Sequence, residues 1–577
     1  MASNSAIHPF KRFLELLKPD RKLVFTIYIY AIFAGLISLT LPLGIQAIIN
    51  LIVGGQTSTS WILLVILVII GVIIVGFFQV RQLSINEILQ QKIFSRASFD
   101  FAYRIPRFKL DKVKTSYLPE LINRFFDTMS VQKGLSKILI DFSTAFFQIV
   151  FGLLLISFYH PFFILFSLLL VVLIFVIARF TFPKGLKTSI EESHHKYATA
   201  HWLEELARNV ETFKMANDSK LPLEKNDENT EQYIKARRSH FSVLVNQYTL
   251  LIIFKALVTA GLLLIGGFLV FQQQMNIGQF VAAEIIIILI ISSVEKMIFT
   301  LESIYDILTA VDKLAVVTDL PLEEFLSERR DVKNGKGIKI KVNNFTLADE
   351  NSGHKFLNNI NLEIEPGEKV CITGKSNAGK TIMLQLLSGW FDYYTGNILF
   401  NDIPLRELNL TALRKQIGDC MSTEGIFQGT IGENIGLGRD YITYKELQYV
   451  ADIVGLSEYI ESQPNGFQKM LYPGDRTMPK RVKQQILWAR GIIGDKSLIL
   501  WEDVFGMVSY KEKYNFVDYL TSKELKQTVI IVSNDLKIIE SCDRAIGMDS
   551  GVILYNISGK DAKDHHWFQE ICLNKNA

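Results

Sequence analysis

The chain is poor in cysteine, with four residues in 577 and none before Cys371. Cys371, Cys420, Cys542 and Cys572 show no metal-ligand spacing, so neither a zinc module nor a disulfide-framed secreted domain is expected, and the thiols read as reduced and cytosolic. Surplus charge is missing too. A formal net charge of +3 leaves no basic excess for a nucleic-acid partner. No cleavable signal peptide is visible. Residues Pro9-Phe10-Lys11-Arg12-Phe13-Leu14-Glu15-Leu16-Leu17 instead read as a short basic amphipathic helix that lies along a membrane surface.

The most telling absence is of lysine and arginine from three short loops. Six apolar stretches, near 23–53, 61–80, 138–158, 161–183, 243–271 and 278–300, are long enough to cross a lipid bilayer, which takes about 20 residues. The connecting residues 54–60, 159–160 and 272–277 carry no Lys or Arg, whereas 81–137 carry eleven and 184–242 carry ten. The positive-inside bias then places both long loops and both termini in the cytoplasm. The long loops also read as helical, so the spans should continue well below the membrane. Within the spans Lys255 and Glu284 stand out, because a charge at membrane depth is costly and faces a bundle interior or a watery cavity. Both are transport-pathway candidates, with pairing between helices as the alternative.

The second half reads as a soluble domain, and its strongest signal is Gly374-Lys375-Ser376-Asn377-Ala378-Gly379-Lys380-Thr381. This is a complete G-x-x-x-x-G-K-[ST] loop between the apolar run Val370-Cys371-Ile372 and a helical pattern from Ile382. The glycines let backbone N–H groups turn toward phosphate, and the following helix N-terminus adds partial positive charge. ATP with Mg²⁺ is the implied ligand, Lys380 reaching the terminal phosphates and Thr381 offering its hydroxyl to the metal.

Six spans, two long basic cytoplasmic hairpins and a C-terminal phosphate loop resemble an ATP-binding-cassette exporter half-transporter over nearly the whole chain. The membrane half looks most like the type I secretion and bacteriocin branch, which exports peptides and proteins. The resemblance implies an α-helical six-span membrane domain followed by an α/β P-loop NTPase domain. It divides the chain into an elbow helix (1–20), a transmembrane domain (21–315), a linker (316–336) and a nucleotide-binding domain (337–577). It further implies coupling helices near 110–125 and 203–216, and a second half-transporter, either a copy of this chain or a different subunit. In that dimer each ATP lies between one domain's phosphate loop and the other's signature motif. A periplasmic adaptor of the membrane-fusion type and a bacterial inner membrane belong to the same expectation. Cargo-trimming members of that branch carry a cysteine protease before the first span; with about 20 residues there and no early cysteine, cargo processing is not expected of this chain.

The remaining family motifs depart from the pattern. The adenine-stacking aromatic, two residues past Phe345, would be Leu347. The Mg²⁺-sensing glutamine, 42 residues past Lys380, would be Ser422. The signature L-S-G-G-Q is replaced by Met478-Pro479-Lys480-Arg481-Val482, where proline removes an N–H and long side chains obstruct close backbone approach. Lys480 and Arg481 read as a solvated basic patch. The acids after Leu498-Ile499-Leu500-Trp501 are swapped: Glu502 stands at the Mg²⁺-binding aspartate and Asp503 at the catalytic glutamate, one methylene short as a general base. The S-A-L-D loop is Gly506-Met507-Val508-Ser509, and the γ-phosphate histidine is Asn534. Mg²⁺ would then fall weakly to Thr381, Glu502 and Ser422. Two functions follow: an exporter subunit that binds ATP but hydrolyses it weakly or not at all, or a catalytically inactive structural or regulatory subunit scaffolding a larger export complex.

Overall fold

The computed structural model describes residues 9–55, 59–113, 117–323, 330–332, 335–349, 352–421, 425–475, 477–503 and 508–573. They form two compact units, Met1–Phe108 with Lys112–Leu322, and Lys109–Asp111 with Glu323–Ala577.

The first unit is helical. Helix α1 (Pro9–Leu17) buries Phe13 and Leu17 and leaves Phe10 and Leu14 exposed, as an amphipathic elbow should. The Arg12 guanidinium donates to both carboxylate oxygens of Asp319 at 2.8 and 2.5 Å. Just beyond the elbow, Asp20 is held by Arg96 and Lys92. The first expected span is two helices, α2 (Arg21–Ser38) and α3 (Thr40–Val53), interrupted at Leu39. Pro42 supplies the physical reason, because it has no N–H to donate to the Ser38 carbonyl one turn earlier. Gly44 and Gly71 sit where a Cβ would overlap Val68 and Thr40, so α3 approaches the next helix, α4 (Thr59–Arg104), through missing side chains.

Short helices α5 (Leu110–Val113) and α6 (Leu118–Ile122) stand in the region expected to form the first coupling helix, with 114–116 outside the described residues. Helix α7 (Asp127–Ser136) then passes through a π-helical turn, Lys137–Phe142, into α8 (Ser143–Ser157). Helix α9 (Pro161–Arg208) does not stop at 203, so the second expected coupling helix is the short α10 (Val210–Met215). Helices α11 (Leu221–Phe271) and α12 (Ile277–Thr318) complete the unit, α12 starting on an Asn276–Gln279 capping box and running three residues into the expected linker. At 1.5 Å per residue α9, α11 and α12 are each about 60–75 Å long, roughly twice the hydrocarbon thickness of a bilayer. Six helical segments among the described residues are long and apolar enough to cross a membrane.

Among the described residues the second unit carries twelve strands: β1 (Ile340–Ala348), β2 (Lys355–Ile364), β3 (Lys369–Gly374), β4 (Thr395–Phe400), β5 (Ile403–Pro404), β6 (Ile417–Cys420), β7 (Gly429–Thr430), β8 (Met470–Leu471), β9 (Leu498–Glu502), β10 (Thr528–Val532), β11 (Arg544–Asp549) and β12 (Val552–Ser558). Interleaved are α13 (Lys380–Leu387), α14 (Leu410–Gln416), α15 (Ile431–Gly436), α16 (Tyr444–Val454), α17 (Ser457–Glu461), α18 (Lys480–Ile492), α19 (Tyr510–Thr521), α20 (Leu536–Ser541) and α21 (His566–Leu573). The main sheet runs β12-β11-β3-β10-β9-β6, parallel except for β12, and β2-β1-β4-β5 form an antiparallel second sheet. Every residue of β3 and β10 is buried, which explains their near-continuous apolar runs. Because β3, β10 and β9 are parallel neighbours, the residues at their carboxyl ends converge along one edge, where open α/β sheets bind ligands.

Candidate nucleotide site

The phosphate loop follows directly from β3. Gly374 has φ 154° and a Cβ there would run into the Met548 carbonyl; Gly379 has φ 93°, with Phe356 O 3.1 Å from where a Cβ would stand. Both positions therefore demand glycine. Asn377 adopts the left-handed region at φ 63°, Ala378 is buried, and Lys375 and Ser376 are exposed, Lys375 lying 3.8 Å from Asp549. Lys380 Nζ donates to the Gly374 and Lys375 carbonyls, both at 2.7 Å, closing the loop on itself. Burial lowers its pKa, with Glu502 opposing that shift. Thr381 Oγ1 donates to Glu502 Oε1 at 2.5 Å. That contact brings the loop hydroxyl and the swapped acid of β9 together, as a shared metal would require.

These residues fit ATP and Mg²⁺. The glycine cradle leaves backbone N–H groups accessible at the start of α13, and Thr381 and Glu502 form a hard oxygen pair. Among the described residues no cluster of three or more His, Cys, Asp or Glu could hold a metal alone, so Mg²⁺ would share its coordination with phosphate oxygens. Bound there, the metal would neutralise phosphate charge, with Lys380 beside it.

The opposite wall of the edge is differently arranged. Asp503 Oδ2 accepts from Ser533 Oγ at 2.7 Å and from Lys513 Nζ at 3.2 Å, and the Asp503 and Lys513 side chains are only 11% and 10% exposed. Lys513 also donates to Asp535 Oδ2 at 3.0 Å, which accepts from Tyr514 OH at 2.9 Å as well. Burial acts to discharge Lys513, but its bonds to Asp535 and Asp503 prevail and raise its pKa. Asp535 moves the other way: burial pushes it up, and Lys513 and Tyr514 bring it below its ordinary value. The pair Lys513–Asp535 is thus charged, with Asp503 bonded to the same ammonium.

Asn534 is likewise engaged. Its Oδ1 accepts from Thr373 Oγ1 at 2.7 Å and from Gly374 N at 3.1 Å, and its Nδ2 donates to Gly374 O at 3.0 Å. In this arrangement it clasps the entry to the phosphate loop instead of presenting a free donor to a terminal phosphate.

At the signature position α18 begins at Lys480 with Pro479 as its N-cap, Met478 packs partly against the core and Val482 is fully buried. Arg481 donates to Glu512 Oε1 at 2.6 Å while its side chain stays partly exposed, and Lys480 is exposed beside it. Glu512 also accepts from Gln485 and, in a capping box, from Ser509. Ser422, Gly506 and Met507 lie outside the described residues, so the structure places none of them. Leu347, which stands where the family's stacking aromatic would be, is 4% exposed inside the core with Phe345 and Leu357.

In the membrane unit, Lys255 Nζ pairs with Glu295 at 2.8 Å, an acid the sequence reading overlooked. Glu284 is half-buried on α12 and has no hydrogen-bond or ion-pair partner among the described residues; it stands about 16 Å along that helix from Glu295. The two charges singled out in sequence are therefore not partners. Lys513, Ser533, Asp535 and Glu512 were also missed. Of these only Glu512 left a local signal, the Ser509-x-x-Glu512 capping box.

Comparison with known proteins agrees with this geometry. The family description "ABC transporter transmembrane region" matches residues 24–294, and "ABC transporter" matches residues 357–501. The transport/processing ATP-binding protein ComA of Streptococcus pneumoniae serotype 4 (strain TIGR4) is 23% identical over 559 residues, 94% of this chain and 75% of ComA. The multidrug resistance-like ATP-binding protein MdlA of Escherichia coli (strain K12) is 26% identical over 305 residues, 52% of this chain and 51% of MdlA. A solved structure of a bacterial Atm1-family ABC exporter with ATP bound superposes with a TM-score of 0.83 at 16% identity, covering 96% of this chain and 98% of that one, which shows a shared fold. With six membrane-spanning helical segments preceding one nucleotide-domain fold, the chain belongs to the ATP-binding-cassette transporters as an integral, multi-pass half-transporter of exporter type.

Proposed function

We propose that this chain is one half of a dimeric exporter, binding ATP and Mg²⁺ at Gly374–Thr381 while hydrolysing ATP at this loop weakly or not at all. The observation that carries this reading is the state of Asp503. A general base needs a carboxylate free to take a proton from water. The Asp503 carboxylate already accepts from Ser533 and Lys513 on the same oxygen, so that oxygen is engaged within the protein instead of facing a water. On binding, Lys380 would exchange the Gly374 and Lys375 carbonyls for phosphate oxygens, and Thr381 and Glu502 would turn to the metal. The cargo class, a peptide, protein or other amphipathic molecule moved outward, follows the resemblance to peptide and protein exporters. So do the inner-membrane setting and an adaptor of the membrane-fusion type, while the cytoplasmic termini follow from the charge bias of the loops.

The second reading, a scaffold that does not pump, draws support from Asn534 and Arg481, both engaged within the chain. Purified chain in lipid nanodiscs, with and without Lys380→Ala, tests both. The expected result is Mg²⁺-dependent ATP binding that the variant loses, with turnover near background in each. Brisk turnover abolished by Lys380→Ala would overturn the hydrolysis part; absence of ATP binding in the unmodified chain would leave only the scaffold.

A further inference from the structure

The elbow helix is held by charge on one side and borders an apolar groove on another. Toward α12 and α4, Arg12 is matched by Asp319, and Asp20 by Arg96 and Lys92. The groove, of about 830 Å³, has walls that include Phe13, Leu17, Phe25, Leu139, Phe142 and Ile304. Its charged lining residues are Lys11, Lys18, Arg21 and Glu15, all exposed. Among the described residues Lys11, Lys18 and Arg21 have no anionic partner, so the groove carries a surplus of two positive charges that the protein leaves unmatched. A second apolar cavity of about 410 Å³ shares Phe142, Phe182 and Ile304 with the first, and its one charged lining residue is another cation, Arg179.

This pattern has the chemistry of an amphiphile with an anionic head and a hydrocarbon tail. The positive-inside orientation puts Lys11, Lys18 and Arg21 at the cytoplasmic surface, where anionic headgroups lie and where each nearby Lys or Arg adds attraction. We infer that the groove beside the elbow helix is a binding site for an anionic phospholipid of the cytoplasmic leaflet, its phosphate held by Lys11, Lys18 and Arg21 and its acyl chains lying on Phe13, Leu139 and Phe142. The lipid's phosphate offsets part of the elbow's surplus positive charge on the side where the protein does not. It also extends the apolar floor from α1 toward the α9 and α12 residues of the neighbouring cavity.

Native mass spectrometry of the full chain, released from detergent after exchange into matched phosphatidylglycerol or phosphatidylcholine, tests the assignment. Phosphatidylglycerol should be retained roughly tenfold over phosphatidylcholine. Lys11→Gln/Lys18→Gln/Arg21→Gln should abolish that preference, while Lys187→Gln/Lys214→Gln/Lys220→Gln, three exposed cations elsewhere in the same unit, should keep it. Ile304→Trp, which fills the groove without touching a charge, should lower retention of both lipids. An unchanged preference in the elbow variant overturns the site. Displacement of phosphatidylglycerol by soluble glycerol phosphate at similar concentration would make it a free-phosphate site and overturn the lipid assignment.

Discussion

The two walls of the nucleotide edge use the same kinds of groups in opposite ways. At the end of β3 the ammonium of Lys380 rests on two backbone carbonyls, contacts that a phosphate can replace. At the ends of β9 and β10 the ammonium of Lys513 rests on two carboxylates in a site about one-tenth exposed, and removing either partner there leaves a charge without compensation. A lysine on carbonyls is poised to change partners, and a lysine between acids is a fixture. That difference in partners separates the two walls more clearly than the identities of the residues along them.

The largest expected effect comes from breaking the fixture. Lys513→Met should destabilise the nucleotide domain by about 3–5 kcal/mol, the usual result of stripping one partner from a buried pair. Thermal unfolding of the purified chain reads this, and adding Asp535→Asn should recover part of the loss; equal Tm values for the parent and the single variant would erase the contrast between the walls. Next, Lys380→Ala should weaken ATP binding by about 1.5–3 kcal/mol, the range for a hydrogen bond to a charged group, with little change in Tm. Nucleotide titration checks that. Asp503→Glu sharpens the comparison further. With Lys513 and Ser533 still in place, turnover should rise less than about tenfold, well short of the roughly 10²–10⁴ that a positioned base contributes; a larger rise would show that side-chain length alone limits the site.

Smaller effects follow at the signature position and with pH. Arg481→Ala should cost about 1 kcal/mol, because its pair with Glu512 is partly exposed, whereas Lys480→Ala should leave Tm unchanged. For pH the signs are opposite for the two ends of the pair. Lys513, raised in the fold, contributes stability that is fully present below its unfolded pKa near 10.4 and is lost as pH rises through the higher folded value. Asp535, lowered in the fold, contributes above its unfolded pKa near 3.9 and is lost as pH falls through the lower folded value. Between about pH 5 and 9 the pair should therefore contribute a constant stability, and turnover should show no rise attributable to its release. A pH–rate profile with a step in that window would contradict the fixture.

How much of this could be read in the sequence depended on distance along the chain. The phosphate loop was legible because strand, glycines and helix are contiguous, and the six spans because hydropathy and loop charge are local properties. Even the break at Leu39 had a local cause in Pro42. The position of Leu347 was also legible in principle: in a strand, residues two apart share a face, so a side chain two past the buried Phe345 points into the core. What could not be read were partners from separate elements. Nothing near Asp503 announces Lys513 on α19 or Ser533 after β10, and nothing near Lys255 announces Glu295 on the next helix. Fold follows from local pattern, whereas the state of a carboxylate follows from whichever distant side chain the fold delivers.

Glu512 shows where that delivery leads. One carboxylate accepts from Arg481 and Gln485 of α18 on one oxygen and from the backbone and side chain of Ser509 on the other, tying positions 31 residues apart. The start of α18 and the start of α19 are consequently yoked at a single point. The first turn of α18, at the position of the signature, and the first turn of α19 therefore share one carboxylate, and neither can change its hydrogen bonds to Glu512 without altering those of the other.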